Sequence, residues 1–374
     1  MKILHFGKFY PPFNGGMEIY LRDLAEKQTE NHTVTALVHN HDFNRIKSQT
    51  KTEIINLVEV IRQKTLKPIL FTPIMLGANR TVNELISKDK VDLIHISWPN
   101  PSALFLLLNK KAKSKPWIIQ WQSDMVTQNS SLLLKLAYQF FKPFEKLLLK
   151  RSRLVIASTQ EYFKYSNALQ KFKSKCHFVP LALANEPQQT DIETKQWAQE
   201  KWKKAPYKVF NIGRLTFYKN QKLLIKAASI FPKAHFIITG SGELHEKLKQ
   251  LIEKSQLKNV TLTGGLSKTK LHALLESCDV FCLPSNDRAE SYGMVLLEAL
   301  NLNKKILVSD LNGSGMKWIA AQTPLGSTFE NNNCENLVDE LKSACEKKPA
   351  TFDNNIFKIE TCANSIDKLY NTVL

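Results

Sequence analysis

The feature that most constrains the fold is an alternation between short apolar runs and longer amphipathic stretches. The apolar runs are rich in β-branched residues, as buried parallel strands are. They are Lys2–Phe6, Thr33–Val38, Leu93–Ile96, Trp117–Gln120 and Leu154–Ala157, then Lys208–Ile212, His235–Thr239, Val260–Thr263, Val280–Leu283 and Lys305–Val308. The amphipathic stretches predict helices at Gly16–Gln28, Gln221–Ser229, Leu244–Leu257, Lys268–Ser277 and Tyr292–Leu302. Because strand and helix alternate, the sequence predicts α/β sheets covered by helices on both faces.

The alternation occurs twice, which indicates two doubly wound domains. A chain of 374 residues also exceeds the size of one typical core. The boundary between the two domains is predicted near Pro180–Pro187, where turn residues interrupt the periodicity. We therefore expect domains at residues 1–185 and 186–355. Residues 356–374 should contain an amphipathic helix that packs back on the first domain.

The charge balance narrows the classes of partner. Lys and Arg number 52 against 34 Asp and Glu, a net charge of +18, which favours nucleic acid, anionic lipid or phosphorylated small molecules. No sequence signature of a nucleic-acid-binding motif is present, so we expect no nucleic-acid partner. No apolar run is long enough to span a bilayer, and the start of the chain lacks signal-peptide features, so a cytoplasmic location is expected. The six cysteines are expected to be free thiols.

The stretch Leu132–Arg153 mixes Leu and Phe with six basic residues and contains Pro143. One interpretation is a basic amphipathic surface that rests on anionic lipid, which would make the protein peripheral on the inner face of the cell membrane. The other is a pair of helices that bury their Leu faces against the sheet and leave the lysines in solvent. The two interpretations can coexist.

Candidate ligand-binding residues follow the strand Lys208–Ile212. The loop contains Gly213, Arg214 and Lys219 and precedes a predicted helix. In doubly wound sheets ligands bind beyond the carboxyl ends of strands, and two cations there suit a diphosphate. Two solvated surface charges are the alternative.

A second candidate loop follows the strand Val280–Leu283. Glu290 lies in this loop, and Glu298 lies about two turns into the next helix. The backbone amides of Ser291 to Met294 would point toward the site with the positive end of that helix. This arrangement suits phosphate and sugar oxygens, although two glutamates at such spacing also occur by chance.

Glycine-containing turns join a strand to a helix at two further places. Gly240 lies in one after His235–Thr239, and Gly15 and Gly16 lie in the other, after the first strand. A tight turn needs glycine in any case, so each is weak evidence alone.

Together, in this order, these elements resemble the retaining GT-B glycosyltransferases of family four, the group one transferases. The resemblance runs through KILHFGKFYPPFNGGMEIYLRDLAE, LIHISWPNP, NIGRLTFYKNQKLLIKAA, FIITGSGEL, VTLTGGLSKTKLHALLESCDVFCLPS and AESYGMVLLEAL. It implies two Rossmann-like domains facing a cleft, with the acceptor on residues 1–185 and the nucleotide sugar on 186–355. Within the family, the chain resembles bacterial enzymes that build O-antigen or other surface polysaccharides, many of which are mannosyltransferases.

The resemblance also implies roles for individual residues. Arg214 and Lys219 would neutralise the donor diphosphate and act in catalysis with Glu290, which would contact the transferred sugar. Glu298 would hold the ribose, and Gly16 would lie against the diphosphate from the other domain. The remaining implied donor-binding residues are Gly213, Gly240, Gly265, Leu266, Ser291, Tyr292, Gly293 and Met294. No divalent metal or other cofactor is expected, and the sequence contains no D-x-D motif.

On the sugar and acceptor side the resemblance implies Gly15, Gln122, Ser123 and Asp124. Many family members have a His where this chain has Gln122, which can donate a hydrogen bond but carries no proton or charge.

The resulting prediction is a metal-independent hexosyltransferase, with mannose from GDP-mannose the favoured donor and a lipid-linked saccharide the acceptor. The alternative is a weakly active or non-catalytic GT-B protein that acts as a membrane-surface partner of another transferase. A nicotinamide-dependent oxidoreductase is disfavoured, because no strand is followed by a complete G-x-G-x-x-G with an acidic residue about twenty positions later.

Overall fold

The structure, a computed structural model, describes residues 1–13, 15–40, 49–69, 72–125, 132–184, 190–348 and 350–374. The chain divides into two compact units. Unit 1 comprises Met1–Ala184 with Ile356–Leu374, and unit 2 comprises Asn185–Asn355. Of the predicted join, Asn185, Glu186 and Pro187 lie outside the described residues.

Unit 1 is built on one large sheet and a small two-stranded one. Its strands are Lys2–Phe6 (β1), Thr33–His39 (β2), Lys51–Ile55 (β3), Val58–Gln63 (β4), Thr65–Ile69 (β5), Thr72–Met75 (β6), Leu93–Trp98 (β7), Trp117–Trp121 (β8), Leu154–Ala157 (β9) and Cys176–Phe178 (β10). The large sheet has the order β10-β9-β8-β7-β1-β2-β4-β3, and only β3 is antiparallel to its neighbour. Strands β5 and β6 form the small antiparallel sheet.

Helices of unit 1 cover this sheet and contribute to its core. They are Gly16–Gln28 (α1), Ala78–Ser87 (α2), Lys110–Lys113 (α3), Leu132–Arg151 (α4) and Gln160–Lys164 (α5), with short 3₁₀ turns at Pro101–Leu108 and Gln170–Lys175. The central strands are buried along their whole length, as parallel strands covered on both faces should be.

Unit 2 holds a six-stranded, all-parallel sheet of order β13-β12-β11-β14-β15-β16. The strands are Tyr207–Ile212 (β11), Ala234–Thr239 (β12), Val260–Gly264 (β13), Val280–Leu283 (β14), Lys305–Ser309 (β15) and Gly326–Phe329 (β16). The helices are Ile192–Lys201 (α6), Gln221–Ile230 (α7), His245–Lys254 (α8), Lys268–Ser277 (α9), Met294–Asn301 (α10), Gly315–Ala321 (α11) and Cys334–Glu346 (α12). The two sheets with their covering helices confirm the predicted α/β class.

After a 3₁₀ turn at Asn355–Phe357, the chain returns to unit 1 and ends in the helix Ile359–Asn371 (α13). This helix packs against α1. Tyr370 is buried and hydrogen-bonded to His95 of β7, and the Asp367 carboxylate accepts a hydrogen bond from Gln28 at 2.8 Å. Side chains from α13 therefore complete the core of unit 1.

The helix α4 corrects one of the two interpretations of Leu132–Arg153. It is one helix that continues through Pro143, not two helices. Its buried face consists of Glu145, Leu148 and Leu149, whereas most of its Leu and Phe side chains are exposed. The interpretation in which the Leu faces are buried against the sheet is therefore wrong for most of this helix. None of the helices in the described ranges combines the length and apolar character that a membrane crossing needs.

Candidate functional site

The predicted donor loops follow two adjacent strands at the centre of the unit 2 sheet. Strands β11 and β14 are hydrogen-bonded neighbours, yet β12 and β13 separate them in sequence and lie on the other side of β11. The strand order reverses at this point, and in open α/β sheets ligands bind at such a reversal, beyond the carboxyl ends of the strands. The backbone amide of Asn286, after β14, donates to the carbonyl of Tyr218, after β11, at 2.9 Å. The two loops are thus held together.

The loop after β11 folds so that its two cations have different surroundings. Lys219 ends a 3₁₀ turn and is buried, whereas Arg214 is exposed. Gly213 makes room for the lysine, because a Cβ at this glycine would lie 3.2 Å from Lys219 Cε and 3.3 Å from Nζ. The missing side chain therefore lets the Lys219 stem cross the backbone of the loop.

Lys219 forms an ion pair with Glu290. Only 11% of the lysine side chain and 12% of the glutamate side chain are exposed, so water screens this pair weakly. The buried hydroxyl of Ser285 also donates to Glu290 Oε2 at 3.3 Å. The two residues were predicted to contact different parts of a ligand, and the structure brings them into direct contact with each other.

Tyr218 lies beside this pair. Burial, together with the nearby carboxylate of Glu290, raises the pKa of its phenol to about 12, and the charge of Arg214 opposes the shift. The Lys219 ammonium lies 5.9 Å from the Tyr218 ring centroid. The phenol is consequently protonated and available as a hydrogen-bond donor at neutral pH.

The loop that carries Glu290 is held from two sides. On its own side, Asp287 accepts hydrogen bonds from the amide of Ala289, at 2.7 Å to Oδ1, and from the amide of Glu290, at 3.0 Å to the carbonyl. From the segment before α11, the Ser314 hydroxyl donates to the Glu290 carbonyl at 2.6 Å, and the Gly315 amide donates to the carbonyl of Ser291 at 2.7 Å. These bonds fix the backbone direction at which the loop enters α10.

The helix α10 starts later than the sequence predicts, at Met294 rather than Tyr292. Gly293 has φ +87°, a left-handed conformation that cannot continue a right-handed helix. A Cβ there would lie 3.0 Å from Leu296 Cδ1 and 3.2 Å from Leu283 Cδ2, so any other residue would also crowd these side chains. The amides of Gly293 and Met294 belong to the end of the helix where donors lack intrahelical acceptors.

Glu298 lies within α10, and its side chain is exposed to solvent. Surrounding protein still raises the pKa of its carboxyl to about 7 by desolvation, and the positive charge of Lys268 opposes this shift. Because the side chain remains in contact with water, the desolvation is partial. Lys268 is the first residue of α9, so the turn that contains Gly265 and Leu266 approaches Glu298. Gly265 is exposed, with open space where a Cβ would lie.

Gly240 has a structural reason to be glycine. Its φ is +146°, and a Cβ would lie 1.9 Å from the carbonyl oxygen of Gly213. Its amide donates to the carbonyl of Gly264 at 3.0 Å. The close approach of the backbone explains this glycine, and contact with a donor remains a prediction.

In unit 1, Gly16 is the first residue of α1 and Gly15 is its N-cap. A Cβ at Gly15 would lie 2.3 Å from Glu18 Oε2, so this glycine admits the buried carboxylate of Glu18. Asn14, which precedes Gly15 in the sequence, lies outside the described residues.

Three of the four predicted acceptor-side residues, Gln122, Ser123 and Asp124, follow β8 directly. Gln122 is buried, and neither its Nε2 nor its Oε1 has a partner among the described residues. A buried amide without partners is costly, and such groups in native proteins call for an explanation, for example a ligand or an ordered water. Ser123 is half-buried.

Asp124, in contrast, is already engaged within unit 1. Its Oδ1 accepts from the Ser166 hydroxyl at 2.6 Å and from the Trp121 indole at 3.1 Å. The structure therefore gives Asp124 a role in holding the loop after β8, and leaves Gln122 as the unsatisfied polar side chain of the three.

Sequence reasoning missed the residues that support the donor loops. Ser285, Asp287 and Ser314 were not singled out as site residues, because serine and aspartate in loops are common. The position of Ser285 directly after Pro284, which follows β14, was the available signal. Across the described ranges no group of three or more His, Cys, Asp or Glu side chains could hold a metal ion. Metal independence itself stays a prediction.

Comparison with known proteins agrees with this arrangement. Residues 14–183 match the family model Glycosyltransferase Family 4, and residues 192–358 match the model Glycosyl transferases group 1. The chain is 25% identical to the O-antigen chain mannosyltransferase C of Escherichia coli over 344 residues, which cover 91% of this chain and 88% of that protein. It is 24% identical to the D-rhamnosyltransferase WbpZ of Pseudomonas aeruginosa over 330 residues, 85% of this chain and 80% of that protein.

Solved structures show the same fold. The crystal structure of Anabaena Alr3699/HepE in complex with UDP and glucose superposes with a TM-score of 0.71 at 17% identity, and all of both chains is covered. A sucrose-phosphate synthase from Thermosynechococcus elongatus superposes with a TM-score of 0.73 at 16% identity, over 100% of this chain and 99% of the other. Both matches support the predicted GT-B fold.

Proposed function

The chain belongs to the group 1 glycosyltransferases of family four, retaining enzymes with the GT-B fold, and on that premise we propose that it transfers mannose from GDP-mannose to a hydroxyl of a lipid-linked saccharide. The product would be part of a surface polysaccharide such as an O-antigen. Two relatives that align with most of the chain support this choice, since their names specify mannose and D-rhamnose transfer.

The observation that carries the proposal is the meeting of the two loops at the reversal of strand order in unit 2. There Lys219 and Glu290 form a weakly screened pair, and Arg214 lies exposed in the same loop as the lysine. A nucleoside diphosphate that binds here would place its phosphates near both cations. The amides of Ser291 to Met294, at the start of α10, would add hydrogen bonds to phosphate or sugar oxygens.

Glu298 and the turn at Gly265 and Leu266 would hold the nucleoside. The carboxyl of Glu298 is a suitable acceptor for ribose hydroxyls, and the open space at Gly265 leaves room for a flat base. Gly16, Gly213 and Gly240 would keep the backbone close to the donor. In this proposal the donor diphosphate would pair with the exposed side chain of Arg214.

On the acceptor side, the unpartnered amide of Gln122 would bind a sugar hydroxyl, with Gly15 and Ser123 beside it. In the reaction the acceptor oxygen would attack the anomeric carbon on the face from which the diphosphate leaves, so the configuration is retained. The bond from the anomeric carbon to the phosphate oxygen breaks, and that oxygen takes the proton of the acceptor hydroxyl. Lys219 and Arg214 would stabilise the negative charge that develops on the leaving diphosphate.

The donor is tested by thermal stability in the presence of GDP, UDP, ADP and their sugars, without added metal. We expect GDP-mannose to raise the midpoint selectively in the wild type and not in Lys219→Met. Lys222→Ala is the matched control, because this lysine is exposed and lies in the following helix. If another nucleotide selectively raises the midpoint of thermal unfolding, that nucleotide rather than GDP is the donor base. An equal rise of the midpoint in the Lys219→Met variant would contradict the assigned site.

Transfer itself is tested with radiolabelled GDP-mannose and a lipid extract. Incorporation into lipid that is lost in Glu290→Gln is expected. Donor binding without any incorporation would instead favour the alternative, a non-catalytic partner of another transferase.

A further inference from the structure

Six large apolar side chains of α4 are at least half exposed to solvent. Their exposed fractions range from 50% to 79%, and the residues are Leu132, Leu133, Leu136, Phe140, Phe144 and Leu147. At 3.6 residues per turn, they lie within roughly one third of the helix circumference and extend over about 22 Å. We call this face the α4 stripe. A continuous exposed apolar surface of this kind marks an interaction site more often than a solvated face.

A row of lysines runs along one edge of the α4 stripe. Lys142, Lys146 and Lys150 are exposed and are spaced four residues apart, so they line up along the helix. The helix contains one acidic residue, Glu145, and it is buried on the opposite side, where its carboxylate accepts a hydrogen bond from Tyr138 at 2.6 Å. The charge of Lys142 does act on the buried Glu145 carboxyl, but no acidic residue of α4 is exposed beside the lysine row.

We propose that the α4 stripe and its lysine row dock on an anionic lipid bilayer, with the helix axis parallel to the membrane surface. The apolar side chains would enter the boundary between headgroups and acyl chains, and the lysines would lie at the level of the lipid phosphates. A partner protein could also cover apolar side chains, but a dense layer of anions beside an apolar phase is the property of a membrane that this combination fits.

The position of α4 relates this docking to the proposed function, on which the following link rests. Leu132 follows Asp124 by eight positions in the sequence, so the start of the stripe lies within about 29 Å of Asp124, the limit of an extended chain of that length. A lipid-linked acceptor could therefore keep its lipid in the bilayer while its sugar reaches the residues after β8.

Vesicle flotation with the full-length protein tests the proposal. Vesicles of phosphatidylcholine alone are compared with vesicles that contain one third phosphatidylglycerol, in the absence of donor and acceptor. We expect the wild type to float with the anionic vesicles, and Phe140→Glu/Phe144→Glu to lose at least tenfold in partitioning. Substitution of Lys142, Lys146 and Lys150 by Gln should lower partitioning by up to about fivefold per lysine, and only on anionic vesicles.

The matched control is Leu108→Glu/Ile192→Glu, whose side chains are 81% and 76% exposed and lie outside α4. It makes the same change of charge and should bind vesicles as the wild type does. If the wild-type protein binds neither kind of vesicle, the proposal is overturned. Equal binding by the Phe140→Glu/Phe144→Glu variant would also overturn it. A wild-type dimer that this variant abolishes, without vesicle binding, would assign the stripe to a second copy instead.

The docking proposal and the proposed function can be rejected independently of each other. Transfer to a water-soluble acceptor analogue should be unchanged in Phe140→Glu/Phe144→Glu, because neither side chain belongs to the predicted site. Vesicle binding without transfer from any donor would leave the docking surface in place and reject the transferase.

Discussion

The ammonium of Lys219 is paired with the carboxylate of Glu290, and this ion pair joins the loop after β11 to the loop after β14. Both side chains are nearly buried, so each depends on the other for compensation of its charge. If a donor diphosphate binds beside Lys219, the lysine is shared between carboxylate and phosphate. The pair is therefore both a structural link and a candidate switch between the empty and the occupied site.

The Lys219–Glu290 pair should behave as a unit in a double-mutant cycle. Lys219→Met and Glu290→Gln are each expected to lower the free energy of unfolding by about 2–3 kcal/mol, because each leaves a nearly buried charge without its partner. The double variant should lose clearly less than the sum of the two, as measured by urea denaturation. Strictly additive losses would show that the pair does not form in solution.

Gly213→Ala is expected to weaken donor binding and to lower stability less than Lys219→Met does. The new methyl group would meet the flexible Lys219 side chain at 3.2–3.3 Å, and the side chain can move aside at small cost. The moved ammonium would no longer lie where a diphosphate needs it, and affinity for the nucleotide should fall about tenfold, the equivalent of about 1.4 kcal/mol. Calorimetric titration with the stabilising nucleotide measures the effect, and an unchanged dissociation constant would argue against Lys219 as a diphosphate ligand.

Gly240→Ala should destabilise unit 2 strongly, in contrast to Gly265→Ala. At Gly240 the methyl group would lie 1.9 Å from the Gly213 carbonyl oxygen, which is backbone and cannot move aside easily, and φ is +146°. We expect a loss of about 3 kcal/mol or more. At Gly265 no described residue beyond the chain neighbours lies within 4 Å of the new methyl group, so the free energy of unfolding should stay within about 0.5 kcal/mol of the wild type. Comparable losses in both variants would contradict this explanation.

The stability of unit 1 should depend on pH through Glu145. Burial raises the pKa of this carboxyl from 4.5 to about 7, against the opposing hydrogen bond from Tyr138. A raised pKa means that the folded state binds the proton more tightly, so stability falls as pH rises from about 4.5 to about 7. The full penalty, up to about 3 kcal/mol, is present above that window.

Urea midpoints at pH 5 and pH 8 test the role of Glu145. Glu145→Gln should reduce the difference between the two pH values, whereas Glu84→Gln should leave it as in the wild type, because the Glu84 side chain is 55% exposed. The same pH dependence in the wild type and in Glu145→Gln would assign it to other groups.

Gln122 and Asp124 should respond oppositely to substitution. Gln122→Leu removes a buried amide that has no partner in the described part of the chain, so stability should stay the same or rise, while the KM for the acceptor increases. Asp124→Ala leaves the Ser166 hydroxyl and the Trp121 indole without their acceptor and should cost about 1–3 kcal/mol of stability. Denaturation and acceptor kinetics, measured on the same variants, distinguish a role in acceptor binding from a role in holding the loop. A large stability loss in Gln122→Leu would mean that its amide is satisfied.

Much of the fold was predictable because strand and helix periodicity are local properties. The helices Gly16–Gln28 and Lys268–Ser277 have the predicted bounds, and the central strands occur where β-branched runs indicated them. Six strands, β3, β4, β5, β6, β10 and β16, were not predicted. Of these, β3 has four of its five residues exposed, and β16 is a short, mostly polar segment. Both are edge strands whose pairing depends on backbone hydrogen bonds to a distant segment.

The sequence by itself determined the α/β class, the two-fold repetition of the strand–helix pattern and the types of residue after each strand, because these follow from periodicity and from the chemistry of side chains. Only the tertiary structure decided that Lys219 pairs with Glu290 and that Gly240 packs on the Gly213 carbonyl. It also decided that the α4 stripe faces solvent. Each of these depends on which residues distant in the sequence become neighbours, and no local pattern encodes that choice.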